Sequence, residues 1–344
     1  MKVGLIGQRG AGKTTIFNML TGLQAQVGGF GGKGEVHLGV IKVPDARVDK
    51  LAQIYKPKKV TYAEIRFTDF PPSEGDDHLK SNNAVITQMR EVDAIALVLD
   101  DFEPDVDPLR ALNDLLTDMI LADMSVVENR RARLKKEKAR PLEQAVLERC
   151  AKSLESEESL RNLAFNSDEE NLLSGFGFLS RKPVLVLFNQ GDDKAGQPLA
   201  AWYEEELRRR GLDGLALAGK VEMEVAQLDE ADRAAFLREI GIQESARDRF
   251  IRASYRLLNL ISFLTTGEDE VRAWTITKGT HARQAAGKIH SDIERGFIRA
   301  EVVAYEDFIA CGSEAKCKEA GKLRLEGKDY IVQDGDIAHF RFAV

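Results

Sequence analysis

The 344-residue chain has few cysteines, no long apolar run and no excess of positive charge, and each shortage argues against a class of protein. Its three cysteines, Cys150, Cys311 and Cys317, are sparse and lack CxxC spacing, which argues against a disulfide framework and a zinc site. No apolar run approaches the roughly 20 residues that a membrane-spanning helix needs. The net charge of −7 gives no overall attraction to nucleic acid, so an RNA contact would need a local basic patch.

The N-terminal residues 1–7 contain too short an apolar stretch for a signal peptide, and glycine-rich sequence follows where a cleavage site would be needed. We therefore expect a cytoplasmic protein without membrane contacts. Hydrophobic residues make up 43% of the chain and charged residues 31%, as is typical of a water-soluble globular protein. The length exceeds the size at which one hydrophobic core stops growing, so more than one domain is expected.

Short β-branched apolar runs alternate with helix-like stretches in the first hundred residues, which is typical of an α/β sheet. The predicted strands lie near Val3–Ile6, Val36–Val43, Ile65–Thr68 and Ala94–Leu99, and the predicted helices near Lys13–Leu23, Ala46–Ile54 and Leu79–Glu91. The same alternation returns with a strand at Pro183–Phe188, a helix around Leu199–Arg210 and a strand at Gly214–Ala218.

Between about residues 107 and 163 glycine is missing, and proline is limited to Pro108 and Pro141. Leu, Glu, Lys and Arg recur there with helical periodicity, which predicts two long helices that fold back near Arg140 and are inserted into the α/β domain. After Thr265 the pattern changes to strand-like runs around short helices. We therefore predict a small, separate α+β domain at the C-terminal end.

Residues 7–14 read GQRGAGKT and match the pattern G-x-x-x-x-G-K-S/T, directly after an apolar strand and directly before a helical stretch. The glycines let the backbone curl so that N–H groups face phosphate oxygens, and the helix N-terminus adds its dipole. Lys13 would reach the β- and γ-phosphates, and Thr14 would ligate Mg²⁺. A chance match is the alternative, and the correctly placed strand and helix argue against it.

Two later strand ends supply polar residues that a P-loop site needs. Asp69 follows the strand-like run 65–68 and is the predicted metal-side carboxylate, although a turn aspartate that closes a strand is the alternative. The apolar run 184–188 leads into Asn189-Gln190-Gly191-Asp192, an N-x-x-D pattern. A carboxylate there can accept hydrogen bonds from the N1 and N2 donors of guanine, a pair that adenine lacks.

With these three motifs in order and a helical insertion between the second and third, the chain resembles the Obg-like ATPases of the YchF type. Residues 43–47 (VPDAR) and 90–95 (REVDAI) are further N-terminal marks, so that the resemblance covers nearly the whole chain. The C-terminal third makes it specific, because several segments look like the family's TGS domain, a small β-grasp module, and the passage into it: Tyr255–Leu260, Glu270–Ile276, Ala285–His290, Gly296–Glu301 and Gly327–Val332.

The resemblance implies a P-loop G domain formed by residues 1–105 and 180–264, a coiled-coil arm over 106–179, and a TGS-like β-grasp α+β domain over 265–344. Lys13 is the predicted catalytic residue, since it would stabilise charge on the phosphates. The resemblance also implies Mg²⁺ ligation by Thr14 and Asp69 and bound GTP or ATP. The implied nucleotide contacts are Gly10, Ala11, Gly12, Lys13, Thr14 and Thr15 for the phosphates, and Asn189, Asp192 and Ala218 for the base.

Departures from the family pattern affect the sensing of the γ-phosphate. The family's switch threonine, a Mg²⁺ ligand, falls at Lys33, which offers neither a hydroxyl nor a carboxylate. Pro72 replaces the glycine whose N–H contacts the γ-phosphate in related GTPases, and proline has no N–H. His78, in a shortened acidic segment, could orient a water, but we favour a solvated loop histidine. Nucleotide binding is therefore a firmer expectation than hydrolysis.

The base preference stays open between ATP and GTP. Members of the family carry N-x-x-E and prefer ATP, whereas Asp192 restores the guanine-type carboxylate. Gln190, however, replaces the lysine that usually packs over the base in N-K-x-D.

Residues 129–140 (NRRARLKKEKAR) hold seven basic residues and one acid near the predicted tip of the arm. Such a cluster can attract phosphate backbones, although a solvated helix end is the alternative. The family's links to ribosomes, together with its TGS domain, favour a ribosome or RNA partner for the arm and the C-terminal domain. No aromatic residue lies within the run, so base stacking finds no support there.

Two hypotheses of different class follow. The leading one is a translation-associated nucleoside triphosphatase with slow turnover, in which nucleotide state positions the arm and the TGS-like domain. The alternative is a nucleotide-binding adaptor with degenerate switches and no hydrolysis, which the residues at Lys33 and Pro72 favour. A metabolic P-loop kinase is a third class, but the chain lacks an arginine-rich, lid-like segment near the phosphate loop.

Overall fold

The computed structural model of the chain describes residues 1–23, 36–71, 83–137 and 140–343. By its internal contacts the chain divides into two compact units. The first comprises Met1–Val40 and Arg66–Ala253, and the second comprises Ile41–Ile65 and Ser254–Val344. Each unit is therefore built from two separate stretches of sequence, and each has a hydrophobic cluster of its own.

Strands and helices alternate along most of the described chain. The strands are β1 (Lys2–Ile6), β2 (His37–Lys42), β3 (Lys59–Thr61), β4 (Glu64–Asp69), β5 (Ala94–Asp101), β6 (Val184–Gln190), β7 (Asp213–Leu217), β8 (Leu260–Thr265), β9 (Glu270–Thr277), β10 (Phe297–Ala304), β11 (Arg324–Glu326) and β12 (Asp336–Phe342). The helices are α1 (Lys13–Thr21), α2 (Ala46–Tyr55), α3 (Asn83–Arg90), α4 (Pro108–Leu134), α5 (Pro141–Glu155), α6 (Ser167–Leu173), α7 (Ala201–Arg209), α8 (Gly219–Ala226), α9 (Glu230–Glu239), α10 (Ala246–Leu257), α11 (Ala282–Ile289), α12 (Ser291–Arg295), α13 (Tyr305–Cys311) and α14 (Glu314–Glu319).

A largely parallel sheet forms the centre of the first unit, with the strand order β2-β4-β1-β5-β6-β7 in the described chain. β1 pairs in parallel with β4 and β5, and β6 pairs in parallel with β5 and β7. β6 is buried along its whole length, as expected for a parallel strand with both faces covered. Because the carboxyl ends of parallel strands meet at one edge of a sheet, the residues that follow β1, β4 and β6 lie close together.

α4 and α5 form a helical hairpin, which we call the arm. Asp107 caps α4 by accepting a hydrogen bond from the Leu109 N–H, and proline occupies the first turn of both helices, where its missing N–H does no harm. The start of α4 packs on the sheet, whereas the far part shares a separate apolar cluster with α5 that includes Val127, Leu147 and Cys150. The prediction of two long helices folded back on each other is confirmed.

Asp123, which is fully buried on α4, ties the arm to the segment before β6 and to the end of α3. Its carboxylate accepts hydrogen bonds from the backbone N–H groups of Leu179 and Ser180, at 3.0 and 2.7 Å, and from the Ser180 hydroxyl at 2.8 Å. The Arg90 guanidinium, at the end of α3, donates to the same carboxylate at 2.9 Å. A buried charge that is satisfied this fully fixes the base of the arm on the first unit.

The second unit contains a mixed sheet with the order β11-β10-β12-β8-β9-β3 in the described residues. β10 pairs antiparallel with β11 and β12, β8 pairs antiparallel with β9, and β12 pairs in parallel with β8. Phe263, Ile276, Ala285, Val302 and Ala338 belong to the buried cluster that joins this sheet to α11.

β3 extends this sheet with a strand from the N-terminal part of the sequence. It pairs in parallel with β9, with Val60 opposite Val271. Polar contacts flank the pairing, since the Lys58 ammonium lies 2.8 Å from the Asp269 carboxylate and the Thr61 hydroxyl donates to the Glu270 carboxylate. Residues 41–65 therefore belong to the second unit by their contacts, although the sequence interpretation placed them with the nucleotide-binding domain.

The predicted fold class, an α/β P-loop sheet with a helical insertion and a C-terminal α+β region, is confirmed. β3, β8 and β11 were not predicted, because β3 and β11 are three residues long and β8 directly follows the helical α10. The division into three domains with boundaries at 105, 180 and 264 stays a prediction.

In the described part of the chain no helix has both the length and the apolar character that crossing a bilayer requires.

Candidate nucleotide-binding site

The loop between β1 and α1 curls in the way that the glycine pattern predicts. Gly10 and Gly12 have φ angles of 87° and 83°, in the left-handed region that glycine adopts most readily. A Cβ atom at Gly12 would lie 2.1 Å from the Asn189 amide nitrogen, so no side chain fits there. Among the described residues no side chain caps the first turn of α1, and that turn contains no acidic residue. The helix N-terminus is therefore suited to an anion.

Lys13, in the first turn of α1, is only 6% exposed. Its ammonium donates a hydrogen bond to the Gln8 carbonyl oxygen at 2.9 Å, which holds the side chain back along the loop. Burial lowers the pKa of Lys13 to about 8, and the nearby negative charge of Asp69 opposes that shift. A phosphate beside this ammonium would restore the charged form.

Thr14 and Asp69 meet where α1 begins and β4 ends. The Thr14 hydroxyl donates to Asp69 Oδ2 at 3.0 Å, and Asp69 is 4% exposed. Burial raises the pKa of Asp69, while the hydrogen bond from Thr14 and the charge of Lys13 act to lower it. Asp69 Oδ1 is buried and has no hydrogen-bond partner among the described residues. The second carboxylate oxygen is thus available to a further ligand.

Asn189, near the end of β6, connects the phosphate loop to the loop that follows β7. Its amide nitrogen donates to the Ala11 carbonyl oxygen at 3.1 Å, and its amide oxygen accepts from the Gly219 backbone N–H at 3.1 Å. The side chain is buried, with 5% of its surface exposed. Asn189 therefore holds two loops in a fixed relation.

Asp192 lies in the short 3-10 turn Asp192–Lys194 after β6, and Ala218 directly precedes α8. The Lys220 ammonium lies 3.3 Å from Asp192 Oδ2, and both side chains are largely exposed. The two predicted base-contacting loops thus come together at the solvent-exposed edge of the site. Thr15 lies in the first turn of α1 beside Thr14.

Glu222 and Arg249 support the loop at Ala218, and the sequence interpretation missed both. The buried Glu222 carboxylate accepts from the Ala218 backbone N–H at 3.2 Å and from the Arg249 guanidinium at 2.7 Å. It also accepts from the Ala246 N–H at the start of α10. An acidic residue in the first turn of a helix that follows a parallel strand is the sequence signal that points to such a cap.

Lys33, Pro72 and His78, on which the departures from the family pattern rest, lie outside the described residues. The described chain therefore includes the phosphate loop, the predicted metal-side carboxylate and the predicted base loops.

Known proteins resemble this chain over its whole length. A family model described as "50S ribosome-binding GTPase" matches residues 2–130, and the model for the YchF GTPase C-terminal region, described as "Protein of unknown function (DUF933)", matches residues 260–343. The protein of Bacillus subtilis named "Ribosome-binding ATPase YchF" is 38% identical, over all of both chains. The chain belongs to the YchF family. The relative of the same name from Escherichia coli O157:H7 is also 38% identical, over all of this chain and 99% of that one.

A solved YchF structure shares the fold. The YchF GTPase of Schizosaccharomyces pombe matches with a TM-score of 0.83 and 29% identity, over 99% of this chain and 97% of that chain. The predicted resemblance to YchF-type proteins and the prediction of a nucleotide-binding P-loop protein are therefore confirmed.

P-loop nucleotide hydrolysis requires a magnesium ion, and the residues present show whether the site can hold one. In the described part of the chain, no group of three or more His, Cys, Asp or Glu side chains could hold a metal. Mg²⁺ in nucleotide sites does not need one, because it keeps several waters and takes one or two protein oxygens together with phosphate oxygens. The Thr14 hydroxyl and Asp69 Oδ1, which has no partner in the described part of the chain, can supply such oxygens, so the site fits this ion.

Proposed function

We propose that this YchF-family protein is a Mg²⁺-dependent nucleoside triphosphatase that hydrolyses ATP or GTP slowly in the cytoplasm and associates with ribosomes. The observation that carries the proposal is the pairing of two buried, incompletely satisfied charges beside the phosphate loop. Among the described residues, Lys13 donates to a backbone carbonyl and Asp69 keeps one oxygen without a partner. Buried charges of this kind are expected where a charged ligand completes the site.

Each side chain has a separate task in the proposed reaction. The loop from Gly10 to Gly12 and the start of α1, with Thr15, bind phosphate oxygens through backbone N–H groups. Lys13 leaves the Gln8 carbonyl and stabilises negative charge on the phosphates as the terminal group transfers to water. Thr14 and Asp69 would hold Mg²⁺, and the bound ion would supply further neutralisation of phosphate charge.

Asn189, Asp192 and Ala218 are proposed to contact the base. Asp192 could accept from guanine, while the relatives in Bacillus subtilis and Escherichia coli are named ATPases and the Schizosaccharomyces pombe protein is named a GTPase. Both nucleotides therefore remain substrates to test.

The decisive assay is phosphate release from ATP and from GTP, with and without ribosomes. The variant Lys13→Ala removes the buried cation, and Lys152→Ala, at an exposed lysine on α5, is the matched control. We expect release by the intact protein and by Lys152→Ala, and none above background by Lys13→Ala. The faster nucleotide then identifies the substrate.

If the intact protein matches Lys13→Ala on both nucleotides, with and without ribosomes, the triphosphatase proposal is wrong. Nucleotide binding without release would then favour the adaptor with degenerate switches, which the sequence at Lys33 and Pro72 already suggests. Binding measured by fluorescence separates that outcome from a chain that takes no nucleotide.

The tip of the arm is the proposed contact for a ribosome or RNA partner, since the curated relatives are named ribosome-binding. Part of its positive charge is already paired, because Arg130 contacts Glu143 and Glu137, and Arg131 contacts Glu148. Of the other basic residues in the run, Arg133, Lys135 and Lys136 are exposed. The charge available to a polyanion is therefore smaller than the sequence alone suggests.

Reversing charge at Lys135→Glu and Lys136→Glu tests this contact. Co-sedimentation with ribosomes over a series of salt concentrations should show weaker binding and a salt slope smaller by about two, because two phosphate contacts are lost. Lys152→Glu on the same arm is the control for charge alone. Unchanged binding and slope in the double variant would place the ribosome contact elsewhere.

A further inference from the structure

Among the described residues, two buried polar atoms near the predicted metal side of the site have no hydrogen-bond partner. One is Asp69 Oδ1 and the other is His37 Nδ1, on β2, the strand beside β4 in the sheet. Leaving a buried donor or acceptor unpaired is unfavourable, so such atoms call for an explanation.

The geometry connects the two side chains through the other carboxylate oxygen. Asp69 Oδ2 lies 3.5 Å from His37 Nδ1 and accepts the Thr14 hydroxyl at 3.0 Å. The imidazole packs near the Phe17 ring, with 6.1 Å between ring centroids, and the histidine side chain is 36% exposed. One edge of the ring thus faces the buried carboxylate while the rest reaches solvent.

We propose that His37 is a positioning residue for the metal site. Its Nδ1–H donates to Asp69 Oδ2, which also accepts from the Thr14 hydroxyl, and these two donors would hold the carboxylate so that Oδ1 stays available to the metal ion or one of its waters. The present distance of 3.5 Å shortens to a hydrogen bond when the site is loaded. This inference rests on the Mg²⁺-nucleotide binding proposed above, and it adds a residue that supports the ligand rather than one that touches it.

The position of the nitrogen within the side chain makes the proposal testable by substitution. Nδ1 is bonded to Cγ of histidine, and the amide nitrogen of asparagine is bonded to Cγ in the same way. The amide nitrogen of glutamine lies one bond further out, closer to where Nε2 of histidine would be. His37→Asn therefore keeps the donor in place, His37→Gln displaces it, and His37→Ala removes it.

The experiment measures how tightly fluorescent ATP and GTP bind to the full chain as Mg²⁺ is titrated, with release after chelation as a second readout. We expect His37→Ala and His37→Gln to need about tenfold more Mg²⁺ for half-maximal binding and to release nucleotide faster, whereas His37→Asn behaves like the intact protein. Binding measured without Mg²⁺ should be equal in all four proteins. Thermal unfolding without nucleotide identifies any variant that fails to fold.

Two results would overturn the role of His37. If all three variants respond to Mg²⁺ as the intact protein does, no positioning contact exists. If His37→Asn is as impaired as His37→Ala, the ring matters for its packing and not for its donor. A different result would be that nucleotide binding by the intact protein does not depend on Mg²⁺. There would then be no metal site, and both the proposed function and this inference would be wrong.

Discussion

The phosphate end of the site (Lys13, Thr14 and Asp69) and its predicted base end (Asp192, Ala218 and Lys220) differ in how far solvent reaches their charges. Lys13 and Asp69 are 6% and 4% exposed, whereas the side chains of Asp192 and Lys220 are 50% and 69% exposed. Buried charges interact strongly with a charged ligand, while an exposed ion pair contributes about 1 kcal/mol or less. Phosphate binding should therefore be the strong part of recognition and base choice the weak part.

The largest effect is expected at the phosphate end. Lys13→Ala should lower turnover by about 100-fold or more, because the buried ammonium is the group proposed to stabilise charge on the phosphates. Phosphate release and nucleotide affinity are measured together, with Lys152→Ala alongside. Activity in Lys13→Ala equal to that of the control would show that the buried cation is not used.

Asn189→Ala should break the connection between the two ends. The substitution leaves the Ala11 carbonyl and the Gly219 N–H without their partner. Because each unpaired buried group costs about 1–3 kcal/mol, the free energy of unfolding should fall by about 2 kcal/mol or more. Thermal unfolding and the binding of pyrophosphate and of whole nucleotides measure the two consequences.

Asn189→Asp is the matched variant, because it keeps the acceptor for Gly219 and loses the donor to Ala11. Loss of whole-nucleotide binding with unchanged pyrophosphate binding in Asn189→Ala would mean that the two ends are independent.

The pH dependence of binding should follow Lys13. Its pKa is lowered by burial to about 8 in the free protein, and bound phosphate favours the protonated form. Nucleotide affinity should therefore be unaffected by this group below about pH 8 and fall above it, by at most about tenfold per pH unit. Isothermal titration between pH 7 and 9.5 measures the slope, and Lys13→Arg, which stays charged, should remove it. A flat profile in the intact protein would contradict the buried-lysine account.

The smallest effect is expected at Asp192. Asp192→Ala removes the carboxylate, so the affinity for GTP should fall by about tenfold or less while the affinity for ATP stays nearly unchanged. The reason is that only guanine offers two donors to one carboxylate. Competition binding of the two nucleotides measures the ratio, and Lys220→Ala tests whether the ion pair restrains the carboxylate. An equal loss for both nucleotides would rule out a base contact of this kind.

Local sequence was enough to predict where the glycine loop and the polar strand ends lie, while the roles of these residues stay predictions. The phosphate loop needs only the glycines, Lys13 and Thr14 in sequence, and Asp69 and Asn189 are recognisable because each ends an apolar strand. α4 and α5 follow from periodicity and from the prolines that start them.

The missed features depend on partners far away in the sequence. His37 and Asp69 are brought together only when β2 and β4 lie side by side, and Glu222 depends on Arg249 from a later helix. β3 is three residues long with no burial pattern of its own, and it becomes a strand only beside β9. Pairing of this kind is set by tertiary contacts, which propensity alone does not reveal.

β3 pairs with β9 in the sheet, but the two strands are separated by more than half the length of the chain. β3 is therefore synthesised long before β9. At about 5–20 residues per second, roughly ten to forty seconds separate the two strands during translation. The later stretch of the nucleotide-binding unit ends at Ala253, so all residues of that unit are synthesised before β9, the strand beside which β3 pairs. The C-terminal sheet is thus completed by capturing an early segment, and a chain truncated before β9 would leave that segment exposed to other partners.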